Sequence, residues 1–215
     1  MRETVLGGRE SLNYPMQQYT VGNVIVAVAQ VGLLHAGAEA VMLAANNNLR
    51  ASWDPNHWSW SQAAENAAGP AYLNECPRIV AAAGRDGLEQ VDAVVTGGGY
   101  LTNGRTNQWV IQAVTIHYTN GHTTPATRQI VYKAVRVGLE KAEAFHAGRI
   151  ATYLMVQRPG YGVQLPEPLA LSLCEALLDH AAVATSVQRL MICETDPQLH
   201  GRALEALDQA FRSRV

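Results

Sequence analysis

The chain has 215 residues, 48% of them hydrophobic, and a formal net charge of -2 with 16% charged side chains, against about 25% charged in an ordinary soluble domain. That length suits one α/β domain whose helices cover both sheet faces, and that charge excludes the basic surface a nucleic-acid or anionic-membrane partner requires. No apolar run approaches the ~18 residues that a membrane-spanning helix needs.

The opening MRETVLGGRESLNYP has no apolar signal stretch, and Asn13-Tyr14-Pro15 is a turn signal. Residues 1–20 are therefore expected to form an arm, with 21–215 a single domain. VIVAVAQV (24–31) is apolar on both faces, as a doubly covered strand should be. AVMLAA (40–45), DAVVTGGGY (92–100), QWVIQAVTI (108–116), IATYLMV (150–156) and QRLMIC (188–193) complete six strands. Residues 61–84 are alanine-rich and helical, but Pro70 and Pro77 predict a kink or consecutive short helices. A helix over 124–148 starts with a Thr cap and a Pro and ends on Gly148. A third spans 166–184. The last, 197–213, follows Asp196 and carries an apolar stripe of Leu199, Ala203, Leu204, Leu207, Ala210 and Phe211. Strands alternating with helices predict a three-layer α/β/α sandwich around a mixed, largely parallel sheet of six or more strands.

Ligands of such sheets bind beyond the carboxyl ends of the strands, and three loops expected there are unusual. Asn46-Asn47-Asn48 offers neutral amides to a sugar or base, or simply ends a strand in a turn. QRPGYGVQLP (157–166) offers Gly160 and Gly162 for close backbone approach to a phosphate, Arg158 for charge and Tyr161 for stacking, or is an ordinary strand-to-helix turn. TGGGYLTNGR (96–105) admits a ligand at Thr96 and Gly97, or makes a hairpin at Asn103-Gly104, which is preferred. Asp54, His57 and Ser61 share the Trp-rich loop and form a possible acid–base set on spacing alone. The seven histidines are scattered and Cys76, Cys174 and Cys193 have no CxxC spacing. No metal site is expected, and the cysteines read as reduced core thiols of a cytoplasmic protein.

Taken in order, AEAVMLAAN (38–46), NAAGPAYLNEC (66–76), TGGGYL with QWVIQAV (96–114) and YLMVQRPGYGVQLPEPLA (153–170) resemble the macro domain, the ADP-ribose-recognising α/β/α module, across about residues 22–213. The resemblance implies that Asn46 faces the distal ribose and, in the hydrolase branch, assists catalysis. It also implies that Gly160, Tyr161 and Gly162 wrap the diphosphate. Leu33 stands where the family places an adenine-reading aspartate, and Ser61 where the hydrolase aspartate falls. Gln112 replaces a family histidine, and a loop with Trp53, Trp58 and Trp60 replaces the first glycine-rich loop.

The expected function is binding of ADP-ribose or a related nucleotide or ribose phosphate by Leu33, Asn46, Asn47, Trp60, Thr96, Gly97, Arg158, Gly160, Tyr161 and Gly162, without a cofactor. The alternative is an enzyme of altered specificity, hydrolysing ADP-ribosyl ester or glycosidic bonds or acting on another small molecule, through Asn46, Asp54 and Ser61. A third reading makes the tryptophans a partner-facing patch.

Overall fold

The computed structural model describes residues 16–50, 59–84, 87–119, 122–124, 126–155 and 167–214. In chain order the elements are β1 (Met16–Val21), β2 (Val24–Ala29), a 3-10 turn (Leu33–His35), β3 (Ala40–Asn46), α1 (Trp60–Ala68) and α2 (Pro70–Ala83). There follow β4 (Ala93–Gly97), a second 3-10 turn (Gly99–Leu101), β5 (Trp109–Thr119), β6 (His122–Thr124) and α3 (Arg128–Ala144). The chain closes with β7 (Arg149–Thr152), α4 (Glu167–Ala181), β8 (Arg189–Cys193) and α5 (Pro197–Arg212).

One sheet runs in the order β1-β2-β8-β7-β3-β5-β4, with β6 added antiparallel to the end of β5. The five strands from β2 to β5 in that order are mutually parallel, and β1 and β4 lie antiparallel at the edges. The expected mixed, largely parallel sheet is therefore present, with two more strands than the six read from the sequence.

Period-two alternation sorts the strand residues between two cores. Val24, Val26, Val28, Met42, Ile111, Leu190 and Ile192 face a core closed by α3, α4 and α5. Ala27, Val41, Leu43, Val110, Met191 and Cys193 face a second core closed by α1, α2 and the first 3-10 turn. The doubly apolar strands are thus doubly covered, and the three layers follow.

Caps and breakers set the helix ends. The Ser59 hydroxyl accepts from Gln62 N–H at 3.1 Å and starts α1. Gly69, at φ 77°, separates it from α2, which begins at Pro70 and holds Pro77 inside. Proline without an N–H is tolerated in a first turn, so the break falls at Pro70. The helix expected from residue 124 begins at Arg128 instead, because Thr127 caps it through Ile130 N–H at 3.3 Å and Thr124 belongs to β6. Asp196 caps α5, accepting from the N–H groups of Gln198 and Leu199.

Residues 16–20, read as the end of an arm, belong to the strand β1 (Met16–Val21). Gly22 takes φ 59° in the turn to β2, and the pairing runs from Val21–Val24 to Met16–Ala29. Tyr19 stacks on Phe211 of α5 with ring centroids 4.4 Å apart, and its hydroxyl donates to Asp208 at 2.5 Å.

At the other edge, β4 and β5 form the hairpin expected around Asn103-Gly104, where Asn103 and Thr106 bridge. A side chain on Gly98 would run into the Asn107 carbonyl, and one on Gly99 into the Ala68 carbonyl at the end of α1. Among the described residues no helix is long and apolar enough to cross a membrane.

Candidate functional site

Some neighbouring strands of the sheet, β7 and β3 among them, send the chain to opposite faces at their carboxyl ends. β2 leaves to the first 3-10 turn and β3 to α1, both on the second core; β5, β7 and β8 leave to α3, α4 and α5 on the first. Such reversals mark where an open α/β sheet takes a ligand. At β3 and β7 the reversal is accompanied by an early parting of the strands. Their ladder holds only Ala40–Ile150 and Val41–Ala151, although β3 continues to Asn46. Beyond it the Thr152 hydroxyl donates to the Met42 carbonyl at 3.2 Å, and this bond floors the crevice.

One wall is the exit of β3. A bulge between Ala45 and Asn46 turns the last residue of the strand. The Asn46 carboxamide closes its own turn: Nδ2 donates to the Arg50 carbonyl at 2.7 Å, and Oδ1 accepts from Asn48 N–H at 3.0 Å and Arg50 N–H at 3.3 Å. Asn46 nevertheless remains partly exposed at the rim. Asn47 differs. It is 1% exposed, its Nδ2 donates to the Tyr118 carbonyl at 3.1 Å, and its Oδ1 accepts from Tyr118 N–H at 2.9 Å. The side chain thus copies a peptide group and prolongs the pairing with β5.

The start of α1 completes this wall. The Ser61 hydroxyl donates to the Ala44 carbonyl at 2.9 Å, joining helix to strand. Trp60, half-buried, packs on the second core, and the far edge of its indole reaches Gly32 at the exit of β2. A methyl group on Gly32 would sit 3.6 Å from the indole Cη2 and 3.4 Å from His35 Cδ2. Leu33, expected to pack on a ligand, is 0% exposed and belongs to the second core. The 3-10 turn points it into the second core.

The opposite wall is the exit of β7, Tyr153–Met155, held by a residue that sequence reasoning missed. Glu194, the first residue after β8, is 3% exposed. Its carboxylate accepts from Leu154 N–H at 2.7 Å, while its own N–H donates to the Ala29 carbonyl of β2 at 3.1 Å. One residue thereby ties the ends of β2, β7 and β8. Its signal in the sequence was a lone acid closing the apolar run Leu190–Cys193, just ahead of the Asp196 cap.

Two expected contacts fall elsewhere. Gly97 pairs with Trp109, and Trp109 pairs with Ala40 at the amino end of β3. Gly97 therefore lies about 20 Å and Thr96 about 17 Å along the sheet from Asn46, taking ~3.3 Å per residue. The antiparallel direction of β4 is the reason; Thr96 is buried, its hydroxyl directed at the Val110 carbonyl. Asp54, Arg158, Gly160, Tyr161 and Gly162, together with Trp53, His57 and Trp58, lie outside the described residues.

The three thiols are buried and unlinked. Burial, with the Glu194 charge adding to it, pushes the Cys193 thiol up to about 12, and burial raises Cys174 as well. Cys76 is also raised by burial, and its Sγ accepts from Gln112 Nε2 at 3.4 Å. Burial thus favours the neutral thiol at all three positions. Among the described residues no three His, Cys, Asp or Glu side chains gather around a metal-sized space.

No family model and no curated protein sequence matches the chain. Solved structures do. The Oceanobacillus iheyensis macrodomain with ADP is 16% identical at a TM-score of 0.74, covering 94% of this chain and 99% of that one. A glycine-to-valine mutant of the same protein with ADPR gives 16% and 0.74, covering 92% and 100%. The Trypanosoma brucei macrodomain in complex with ADP gives 16% and 0.65, covering 85% of this chain and 68% of that one. These similarities establish the macro-domain fold.

Proposed function

We propose that this chain, which has the macro-domain fold, binds ADP-ribose or a related nucleotide in the crevice between the exits of β3 and β7. The early parting of those two strands at a point where the chain leaves to opposite faces is the observation that carries the reading. The rim offers Asn46, Trp60 and Ser61 on the β3 side and the partly exposed Tyr153 on the β7 side, a mostly neutral set of amide, hydroxyl and aromatic groups suited to a sugar and a flat ring. The structural neighbours solved with ADP and ADPR support the ligand class. Arg158, Gly160, Tyr161 and Gly162 follow directly on the β7 exit and are assigned to the diphosphate.

Binding is favoured over hydrolysis by how the candidate catalytic groups are held. The Ser61 hydroxyl donates to a backbone carbonyl, and Asn46 is engaged in its own turn. Among the described residues neither bond leads to a general base, which activation of water requires within hydrogen-bond reach. Hydrolytic chemistry would rest on Asp54.

Calorimetric titration with ADP-ribose, with AMP and ribose 5-phosphate alongside, tests the proposal. Micromolar binding that Asn46→Ala or Gly160→Val abolishes is expected. Absence of heat together with an unshifted melting temperature would reject the nucleotide reading. Turnover of an ADP-ribosyl ester that disappears in Asp54→Ala would reject the preference for binding alone.

A further inference from the structure

We infer that the chain forms a two-fold dimer by pairing the outer edge of β4 with the same edge of a second copy. β4 ends the sheet order and pairs with β5 alone among the described strands. Val114 N–H donates to the Asp92 carbonyl and Gly98 N–H to the Gln108 carbonyl, each at 2.8 Å, so the even-numbered residues here turn their backbone groups toward β5. Ala93, Val95 and Gly97 turn theirs outward. Ala93 is already engaged: its carbonyl accepts from Lys141 Nζ at 2.5 Å, and its N–H donates to Asp92 Oδ1 at 3.2 Å. After Gly98 the chain leaves the strand for the second 3-10 turn. Val95 and Gly97 are left, both partly exposed, and their outward backbone groups take no partner among the described residues.

These two residues complete each other. With the strands antiparallel about a two-fold axis at Thr96, Val95 of one copy stands opposite Gly97 of the second copy, and Gly97 opposite Val95. Each opposition exchanges a pair of N–H···O bonds. The side chains agree with this register. Val95 packs on the first core, and Gly97, two residues on, opens on the same face. A methyl group on Gly97 would meet nothing within 4 Å, while Trp109, its neighbour across the ladder, leans its ring onto the exposed Phe145 with centroids 4.7 Å apart. The Val95 side chain of each copy therefore enters the notch at Gly97 of the other. A knob and a notch two residues apart on one antiparallel edge fit each other under a two-fold axis, which selects a second copy as the occupant. The paired stretch is short, at the small end of specific interfaces, so the dimer is a reversible one.

Sedimentation equilibrium of the wild type, Gly97→Lys and Gly97→Pro over a wide concentration range tests the inference. The wild type should pass from monomer to dimer with a midpoint of roughly 10–100 μM, and its melting temperature should rise with concentration. Lysine at 97 sets a charge in the notch, and proline removes the outward N–H without touching the ladder to β5. Both variants should stay monomeric throughout, and Gly97→Lys should melt as the dilute wild type does. Register is read by disulfide capture. An equimolar mixture of Val95→Cys and Gly97→Cys should cross-link under mild oxidation, with Cα atoms about 5.5 Å apart, and neither variant should cross-link alone. Should Gly97→Pro fail to fold, Gly97→Lys and the cysteine mixture decide. A wild type that stays monomeric throughout, a dimer that Gly97→Lys leaves intact, or either cysteine variant cross-linking with itself in preference to the pair overturns the inference.

Discussion

Asn46 and Asn47 are neighbours in the chain with opposite duties. Asn46 sits on the rim and its three hydrogen bonds shape a surface turn, whereas Asn47 lies inside and stands in for a strand residue opposite Tyr118. Asn47→Leu would remove both hydrogen bonds to the Tyr118 backbone, and is expected to cost about 2–3 kcal/mol in urea unfolding. The affinity of its folded fraction for ADP-ribose should stay unchanged. Asn46→Ala should show the reverse pattern, with about 1 kcal/mol of stability lost and binding lost disproportionately. Measuring both quantities on both variants separates rim from scaffold. The sequence alone does not make that separation, because three identical side chains in a row carry no mark of which one points inward. Leu33 shows the same limit: a short 3-10 turn decides its direction, and turns of that length leave little periodic signal. Trp60, read as part of the Trp-rich loop, is the first residue of α1, because the Ser59 hydroxyl caps the helix one residue ahead of the run read from position 61.

At the scale of elements, strands with apolar residues on both faces were readable, since burial on two sides forbids the polar alternation of a half-exposed strand. Strand direction was not. TGGGY looks like a ligand loop, and only the antiparallel pairing of β4 with β5 sends it to the far edge of the sheet. Two short strands also escaped. β6 is three residues long, and β1 carries the polar MQQYTV of an edge strand, whose outer side faces water. The Tyr19 contacts with Phe211 and Asp208 make β1 part of the domain. Tyr19→Ala should therefore destabilise the protein by about 2–3 kcal/mol. Truncation to residue 22 should lower the melting temperature at least as far; a truncated chain melting like the full one would return residues 16–21 to the status of an arm.

Across the whole molecule, acid stability should be set far from the crevice, where the ends of α3 and α4 meet the lead into β8. His180 is 3% exposed, with Nε2 3.3 Å from Glu143 Oε1; burial lowers its pKa, and the Glu143 charge opposes this only in part. Burial alone would raise Glu143, but hydrogen bonds from Thr185 and Ser186 outweigh it and bring the carboxyl below its usual range. A histidine depressed in the folded state leaves the unfolded chain holding more protons below about pH 6.5, so stability falls as the pH drops through that value. Glu143 supports the fold above the ordinary carboxylate range and loses its contribution as the pH falls through its depressed value. Melting temperature is expected to decline from pH 7.5 to pH 5, and His180→Gln should flatten the upper part of that decline. An equally steep curve in the variant would exclude His180 as the source. The glycines at the opposite edge have a separate consequence for anyone who screens variants by ligand capture. Side chains at Gly98 or Gly99 collide with backbone that cannot retreat, while one at Gly97 meets nothing within 4 Å. In such a screen positions 98 and 99 would score as badly as the crevice itself, and Gly97 would score as neutral. Repeating the selection in the cold distinguishes the two kinds of failure: variants short of folded protein regain capture, and variants short of a contact do not.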